Sequence, residues 1–165
     1  MIVASTEELL DYLADLLERM ERFAVSAVAG DGNEEIAWLQ DQAGQLVMDV
    51  YGTLPAEPRA EPGELLLRER WRPEQQGSWR LRDYGYELRH RGLDYRRALH
   101  YHDETHFVRA FGVATHEHCE PIMGRPACDH YGGDPVRGAI EGFERLYAVW
   151  LTGERPDCSA LRCLG

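Results

Sequence analysis

Histidine is concentrated in one quarter of this sequence. All seven histidines lie between His90 and His130, and four of them fall within or beside one predicted hairpin: His100, His102, His106 and His116. Imidazole is neutral or cationic near pH 7, transfers protons in either direction and ligates transition metals. We therefore expect the chemistry of this chain in the histidine-rich segment, as acid–base catalysis or as metal binding.

The spacing of these histidines predicts a catalytic face on a sheet. Strand side chains alternate between two faces, and pairing His102 with His106 across a turn at 103–105 places imidazoles on one face. Imidazoles can act as general base and general acid, and arginine can hold a phosphate with two hydrogen bonds. The alternative is a solvated sheet face that happens to use histidine, and a one-residue slip in register would break up the row. The candidate catalytic residues are Arg96, His100, His102, Asp103, His106 and His118.

A second cluster combines histidine with cysteine and predicts a zinc site. The segments HEHCE at 116–120 and CDH at 128–130 place nitrogen and sulfur donors close together in sequence. Zinc takes four such ligands, although paired C-x2-C knuckles are missing here. Inert buried cysteines are an equally weighted alternative, and Cys119 as a nucleophile is a third. The candidate ligands are His116, Cys119, Cys128, His130, Cys158 and Cys163.

The elements that must position these residues follow from hydrophobic spacing. Ser5 and Glu8 form a capping box, and a leucine stripe follows at helical spacing. A second apolar stripe with a helical period leads up to Gly52. Residues 5–51 are therefore predicted to form a helical hairpin, and the proline-rich segment 52–63 is predicted to be a linker.

The rest of the chain is predicted to be a sheet followed by a helix. Four strands in residues 64–119 form an antiparallel meander, with a bulge near Gly85 where the apolar phase shifts. Residues 120–165 contain a loop, a helix starting at Asp134–Pro135, and a tail with two cysteines. The expected fold is α+β, with an N-terminal helical hairpin, a four-stranded antiparallel meander and a C-terminal helix, in one domain over residues 1–165.

Composition limits the classes of partner. The net charge of −11 argues against a protein that coats nucleic acid non-specifically, because phosphate binding requires a cationic footprint. All 18 basic residues are arginine, which is more simply explained by genome composition than by function. No apolar run is long enough for a membrane span, and the N-terminus does not resemble a secretion signal. We therefore expect a cytoplasmic protein with no membrane contact.

Two of these motifs also resemble a known family. His102–Asp103 after basic and aromatic residues, about a dozen residues of spacer, and then Thr115-His-Glu-His118 resemble the small histidine-rich TumE-type toxins of bacteria and archaea. The resemblance covers residues 84–150 at most. This chain has Glu104 where the family commonly has Asn, and the N-terminal helices, Cys119 and the CDH segment are additional. The HEHCE and CDHYGG segments also resemble proteins of halophilic archaea and actinobacteria.

Two hypotheses from different classes follow. The first is a toxin-like nuclease that uses the histidine face on a phosphodiester, with RNA as substrate and a cognate antitoxin as partner. In it His102 and His118 act as base and acid, His100 or His106 assists, and Arg96 holds the phosphate. The second is a non-enzymatic protein-interaction module stabilised by zinc, which pairs with another protein or forms a homodimer through its N-terminal helices.

Overall fold

The described part of the chain forms one antiparallel sheet with two long helices packed on it. The computed structural model describes residues 3–29, 38–93, 95–102, 105–111, 114–120, 129–131 and 135–153. Within these residues lie nine strands and three α-helices: β1 (Val3–Ser5), α1 (Thr6–Arg22), β2 (Ser26–Ala29), β3 (Trp38–Gln40), β4 (Leu46–Leu54), β5 (Gly63–Pro73), β6 (Ser78–His90), β7 (Tyr95–His102), α2 (Thr105–Phe111), β8 (Thr115–Glu120), β9 (Asp129–Tyr131) and α3 (Ala139–Thr152).

The strand order explains how the histidines come together. The sheet runs β2-β4-β5-β6-β7-β8-β9, with β1 also paired to β6 and β3 to β4, and each of these pairs is antiparallel. The predicted α+β class is confirmed, but the sheet is larger than the expected four-stranded meander. The histidine-bearing strands β7 and β8 are neighbours, and β7 is also paired to the long central strand β6.

Helix α1 follows directly from its sequence. Ser5 accepts a hydrogen bond from the Glu8 backbone N–H at 3.2 Å, and the Glu8 carboxylate accepts one from the Ser5 N–H at 2.7 Å. The leucine stripe packs into the core through Leu9, Leu13, Leu16 and Met20. The helix ends before Ala24, whose φ of 56° lies in the left-handed region. Because this stripe is buried within its own chain, the homodimer expected through these helices stays a prediction.

The α1 stripe gives a direct test of this packing. We expect Leu16→Ala to lower the free energy of unfolding by about 2–5 kcal/mol, because a fully buried leucine leaves a cavity when truncated. Leu10→Ala is the matched control on the same helix, since the Leu10 side chain is 58% exposed, and we expect it to change stability by about 0.5 kcal/mol or less. Urea denaturation measures both. Equal effects of the two substitutions would contradict the placement of α1.

The second predicted helix is wrong. The described residues between Ser26 and Leu54 form strands β2, β3 and β4, and residues 30–37 lie outside the described part of the chain. In β4, Met48, Val50 and Leu54 are fully buried at alternate positions, which is the period of a strand. Gly52, the predicted end of this helix, lies inside β4. A Cβ there would lie 2.8 Å from the end of the Met20 side chain and 3.3 Å from Leu65 Cβ, so glycine lets α1 pack closely on this strand.

The predicted linker 52–63 is also shorter than expected. Strand β4 continues to Leu54 and β5 begins at Gly63, so the connection spans residues 55–62. Strands β5, β6 and β7 lie where the sequence places them. The register between β5 and β6 shifts between Arg70 and Trp71, which leaves Arg82 as the extra residue. The predicted bulge is therefore real but lies at Arg82 instead of Gly85, and it brings both Leu81 and Tyr84 into the core.

The fourth predicted strand is only half correct. Residues predicted to extend from His106 to His118 as one strand instead form helix α2 up to Phe111 and then strand β8 from Thr115. The predicted cross-strand pairing of His102 with His106 is therefore wrong. The α2 segment connects β7 to β8 in place of a tight turn.

Helix α3 covers the same sheet face as α1. It begins at Ala139, after Gly138, instead of at Pro135 as predicted, and its predicted apolar face is confirmed by buried Phe143, Leu146 and Trp150. Gly142 faces the Tyr86 ring, where a Cβ would lie 2.3 Å from Tyr86 Cδ2, so glycine permits close helix–sheet packing. None of the helices in the described residues has the length and apolar character that a membrane span requires.

A buried carboxylate joins both helices to the sheet. Glu69 on β5 is fully buried and accepts hydrogen bonds from the hydroxyls of Tyr12 and Tyr86, at 2.7 and 2.5 Å, and from Trp71 Nε1 at 2.9 Å. The Tyr12 hydroxyl in turn accepts a hydrogen bond from the Ala139 backbone N–H at the start of α3. Burial raises the pKa of Glu69 above its ordinary value.

Candidate functional site

Four histidines share one face of the β7–β8 pair, opposite the face that α1 and α3 cover. The register places His100 opposite His116 and Ala98 opposite His118. His102 lies two residues beyond His100 on β7, so strand alternation brings it to the same side. We call this surface, defined by His100, His102, His116 and His118, the imidazole face.

The four imidazole rings are in mutual contact. His100 Nδ1 lies 3.2 Å from His116 Nε2. Ring centroids are 5.0 Å apart for His100 and His116, 4.7 Å for His100 and His118, and 4.8 Å for His116 and His118. The His102 ring stacks on His116 with centroids 5.3 Å apart. One potential ligand nitrogen from each of His100, His116 and His118 falls within 4.8 Å of the others.

The environment of His100 keeps its ring neutral. Burial, and after it the electrostatic effect of His118, His116 and Arg96, together lower the pKa of His100 to about 2. A neutral imidazole has one nitrogen lone pair available to accept a proton or to bind a metal. His116 is also buried, whereas His102 and His118 are half-buried.

Gly85 provides space beside the cluster. It pairs with His100 across β6 and β7, and a Cβ at Gly85 would lie 3.5 Å from His100 Cδ2. That distance is an ordinary van der Waals contact, so alanine fits there but a larger side chain would displace the ring. The absence of a side chain therefore lets the His100 ring lie over β6.

Ion pairs adjoin the imidazole face on β6 and β7. Glu87 lies between two guanidiniums, Arg89 at 3.1 Å and Arg96, and their charges lower its pKa despite the desolvation that opposes them. Asp83, which pairs in register with His102, accepts a hydrogen bond from Arg70 Nε at 2.7 Å and lies 3.8 Å from Arg82 Nε. Each carboxylate is thus shared by two arginines among the described side chains.

On the opposite side of the same strands, a cluster of charged side chains lies beside the hydrophobic core. Glu117 on β8 is buried and binds two guanidiniums, Arg97 on β7 and Arg145 on α3, the latter at 2.6 Å. This triad connects the two histidine-bearing strands to α3. It holds the strands in the register that brings His100 and His116 together, and charged hydrogen bonds of this kind are stronger than neutral ones.

The predicted catalytic residues separate into three groups. His100, His102 and His118 lie together, as predicted. Arg96 lies beside them and forms an ion pair with Glu87, and its role as a phosphate clamp stays a prediction. His106 is exposed on α2 and is not one of the three histidines whose nitrogens converge, and Asp103 lies outside the described residues.

The predicted zinc ligands are divided differently from the prediction. The structure groups His116 with His100 and His118, two residues predicted to be catalytic. Cys128, Cys158 and Cys163 lie outside the described residues, as do the side chains of Cys119 and His130. The cysteine-containing site therefore stays a prediction.

The sequence reading missed Asp83, Gly85 and Glu87. Their alternate spacing on β6 could have indicated a shared face, and the register pairs them with His102, His100 and Ala98. Comparisons with models of protein families, with curated proteins and with solved structures gave no match.

Proposed function

We propose that the imidazole face is the active site of a nuclease that cleaves RNA. The observation that carries this proposal is the convergence of four imidazoles on a face away from the hydrophobic core, where a sheet has no packing need for them. General acid–base catalysis by imidazole operates near neutral pH, at which one ring can accept a proton and another can donate one.

The surrounding charge suits an anionic substrate. Arg96 acts on His100 as a nearby positive charge, and the carboxylates of Asp83 and Glu87 are each offset by two arginines. A phosphodiester group carries one negative charge, which fixed guanidinium groups stabilise most where that charge grows during reaction. Arg96 therefore contributes as a fixed charge between Glu87 and His100, in place of the clamp expected from the sequence.

The proposed reaction uses the hydroxyl that distinguishes RNA from DNA. The 2′-oxygen attacks the phosphorus while its proton passes to a neutral imidazole, and the bond from phosphorus to the 5′-oxygen breaks. The leaving 5′-oxygen takes a proton from a second, protonated group. The products are a 2′,3′-cyclic phosphate and a 5′-hydroxyl. We assign one of these proton transfers to His102, which lies at the edge of the cluster and is half-buried.

A toxin of this kind requires a protein that restrains it in the cell. The proposal therefore includes a cognate antitoxin as partner, as the TumE-type resemblance implies. The acidic net charge of −11 favours a short or partner-delivered RNA over a long nucleic-acid groove. The alternative of a zinc-stabilised interaction module depends on cysteines that lie outside the described residues.

An oligonucleotide assay tests this proposal. We expect the purified protein to cleave an RNA oligonucleotide to products with 2′,3′-cyclic phosphate ends, and to leave intact a bond preceded by a single 2′-deoxy nucleotide. His118→Ala purified in the same way reports contaminating nuclease. Equal cleavage of RNA and DNA, or equal cleavage by the variant, would show that the proposed chemistry is wrong.

A further inference from the structure

We propose that His100, His116 and His118 form a binding site for one zinc ion, with three imidazole ligands and a fourth position open to water or substrate. The site differs from the cysteine-containing site expected from the sequence. It is inferred from the geometry of the imidazole face, so it would stand even if RNA proved not to be the substrate.

The spacing of the nitrogen atoms fits a tetrahedral zinc site. Zinc–imidazole bonds of about 2.0–2.1 Å place two bound nitrogens about 3.3–3.4 Å apart at a tetrahedral angle. His100 Nδ1 and His116 Nε2 are 3.2 Å apart, close to that separation. The nitrogen of His118 lies within 4.8 Å of the other two ligand atoms. A rotation of the His118 side chain that brings its nitrogen to the same separation would complete the triangle.

The strands hold the three ligands in place. His100 and His116 are directly opposite on β7 and β8, and His118 is the next residue on the same face of β8. Opposite and diagonal positions on neighbouring strands bring side chains within contact distance. The ion pairs of buried Glu117 with Arg97 and Arg145 hold these two strands from the other side. A metal site requires such fixed spacing, because ligand geometry contributes to affinity.

Three converging imidazoles suit a metal ion better than a single shared proton. A neutral imidazole has one N–H donor and one acceptor nitrogen, so His100 and His116 can share a single hydrogen bond. A third ring, with its centroid 4.7 Å from His100 and 4.8 Å from His116, brings further nitrogen atoms toward the same point. One metal ion would accept a lone pair from all three rings at once, which no single proton can do.

The donor set selects the class of metal. Three imidazole nitrogens suit zinc and its neighbours among the transition metals, whereas calcium and magnesium prefer oxygen ligands. Sites with three protein ligands keep a fourth position for water or substrate, and structural zinc sites use four protein ligands. His100 and His118 are half-buried, so the fourth position is reachable from solvent.

This inference changes the role of His118. The sequence hypothesis makes it the acid or base partner of His102, whereas here it is a metal ligand and His102 keeps the proton-transfer role. A zinc ion in this position would stabilise negative charge on a phosphate oxygen, which is a recognised contribution of metals to phosphoryl chemistry.

Metal binding is tested without reference to activity. We use protein made without a histidine tag, stripped with chelator, and titrate it with Zn²⁺ and with Co²⁺, whose visible absorption reports four-coordinate nitrogen ligation. We expect one equivalent bound to the wild type, and affinity at least about 100-fold weaker for His116→Ala and for His118→Ala. His106→Ala is the matched control, because His106 is exposed on α2, and it should bind like the wild type.

Folding is monitored so that a negative result stays interpretable. Circular dichroism and thermal melting of each metal-free variant show whether it is folded, and His118→Ala serves if buried His116→Ala does not fold. Unchanged affinity in folded His118→Ala would overturn the site. So would a Co²⁺ complex with thiolate charge-transfer absorption, since that would assign the metal to the cysteines. Zinc binding without RNA cleavage would support the metal site and contradict only the proposed function.

Discussion

Replacing His102 with alanine is expected to slow RNA cleavage about 10²–10⁴-fold, because proton transfer by a positioned side chain contributes that much to the rate. The same change should alter the free energy of unfolding by no more than about 1 kcal/mol. His102 is half-buried on the face opposite the hydrophobic core, so little packing is lost. Cleavage rate under single-turnover conditions and urea denaturation measure the two effects on the same preparation.

Leu99 is the matched control for this experiment. It lies on the same strand as His102, but its side chain is 3% exposed and belongs to the core. Leu99→Ala should lower the free energy of unfolding by about 2–5 kcal/mol, and any loss of cleavage should follow the unfolded fraction. If His102→Ala destabilises the protein as much as Leu99→Ala does, the imidazoles are a structural cluster and the catalytic role is wrong.

The second large effect concerns stability. Glu69→Ala is expected to lower the free energy of unfolding by at least about 3 kcal/mol, because the substitution leaves three buried donors without an acceptor. These are the hydroxyls of Tyr12 and Tyr86 and the indole N–H of Trp71. Glu64→Ala is the control on the same strand, since Glu64 is exposed and its ion pair with Arg91 is on the surface. Similar losses for both variants would contradict the role of the buried carboxylate.

The same carboxylate predicts a pH dependence. Burial raises the pKa of Glu69 in the folded state, so the folded protein binds this proton more tightly than the unfolded chain does. The resulting stability is fully present below the unfolded pKa of about 4.3 and is lost as pH rises through the folded pKa. Glu69→Gln does not titrate, so wild-type stability should fall relative to this variant as pH rises above about 4.3. If the difference in stability between the wild type and Glu69→Gln stays constant from about pH 4 to about pH 8, this assignment is wrong.

Local signals in the sequence predicted some elements and misled on others. The capping box and the leucine stripe of α1 both predict a helix, and the structure confirms it. Leu46 and Val50 fit both a helical period and a strand period, and tertiary contacts decided between them: Gly52 packs closely against Met20 and Leu65. Helix α2 was not predicted because the segment is short. It has no capping box, and its apolar spacing does not separate a helix from a strand.

The site was predicted better than the strands that form it. His100 and His102 are two residues apart, as are His116 and His118, so strand alternation puts each pair on one face whatever the connection. The sequence could not show that His100 would lie opposite His116. That pairing depends on the length of the α2 connection and on the ion pairs of Glu117 with Arg97 and Arg145.

The ionic triad beneath the histidines has a consequence for how the molecule opens. None of the described side chains of β8 belongs to the hydrophobic core, whereas β5 contributes Leu65, Leu67 and Trp71. Opening the β8 end would therefore expose little apolar surface, and the free energy of such an opening depends only weakly on denaturant. Amide hydrogens of β8 should exchange through small fluctuations that urea barely accelerates. Those of β5 should exchange only when the whole molecule unfolds, so the strand that presents two of the four imidazoles can move while the core stays intact.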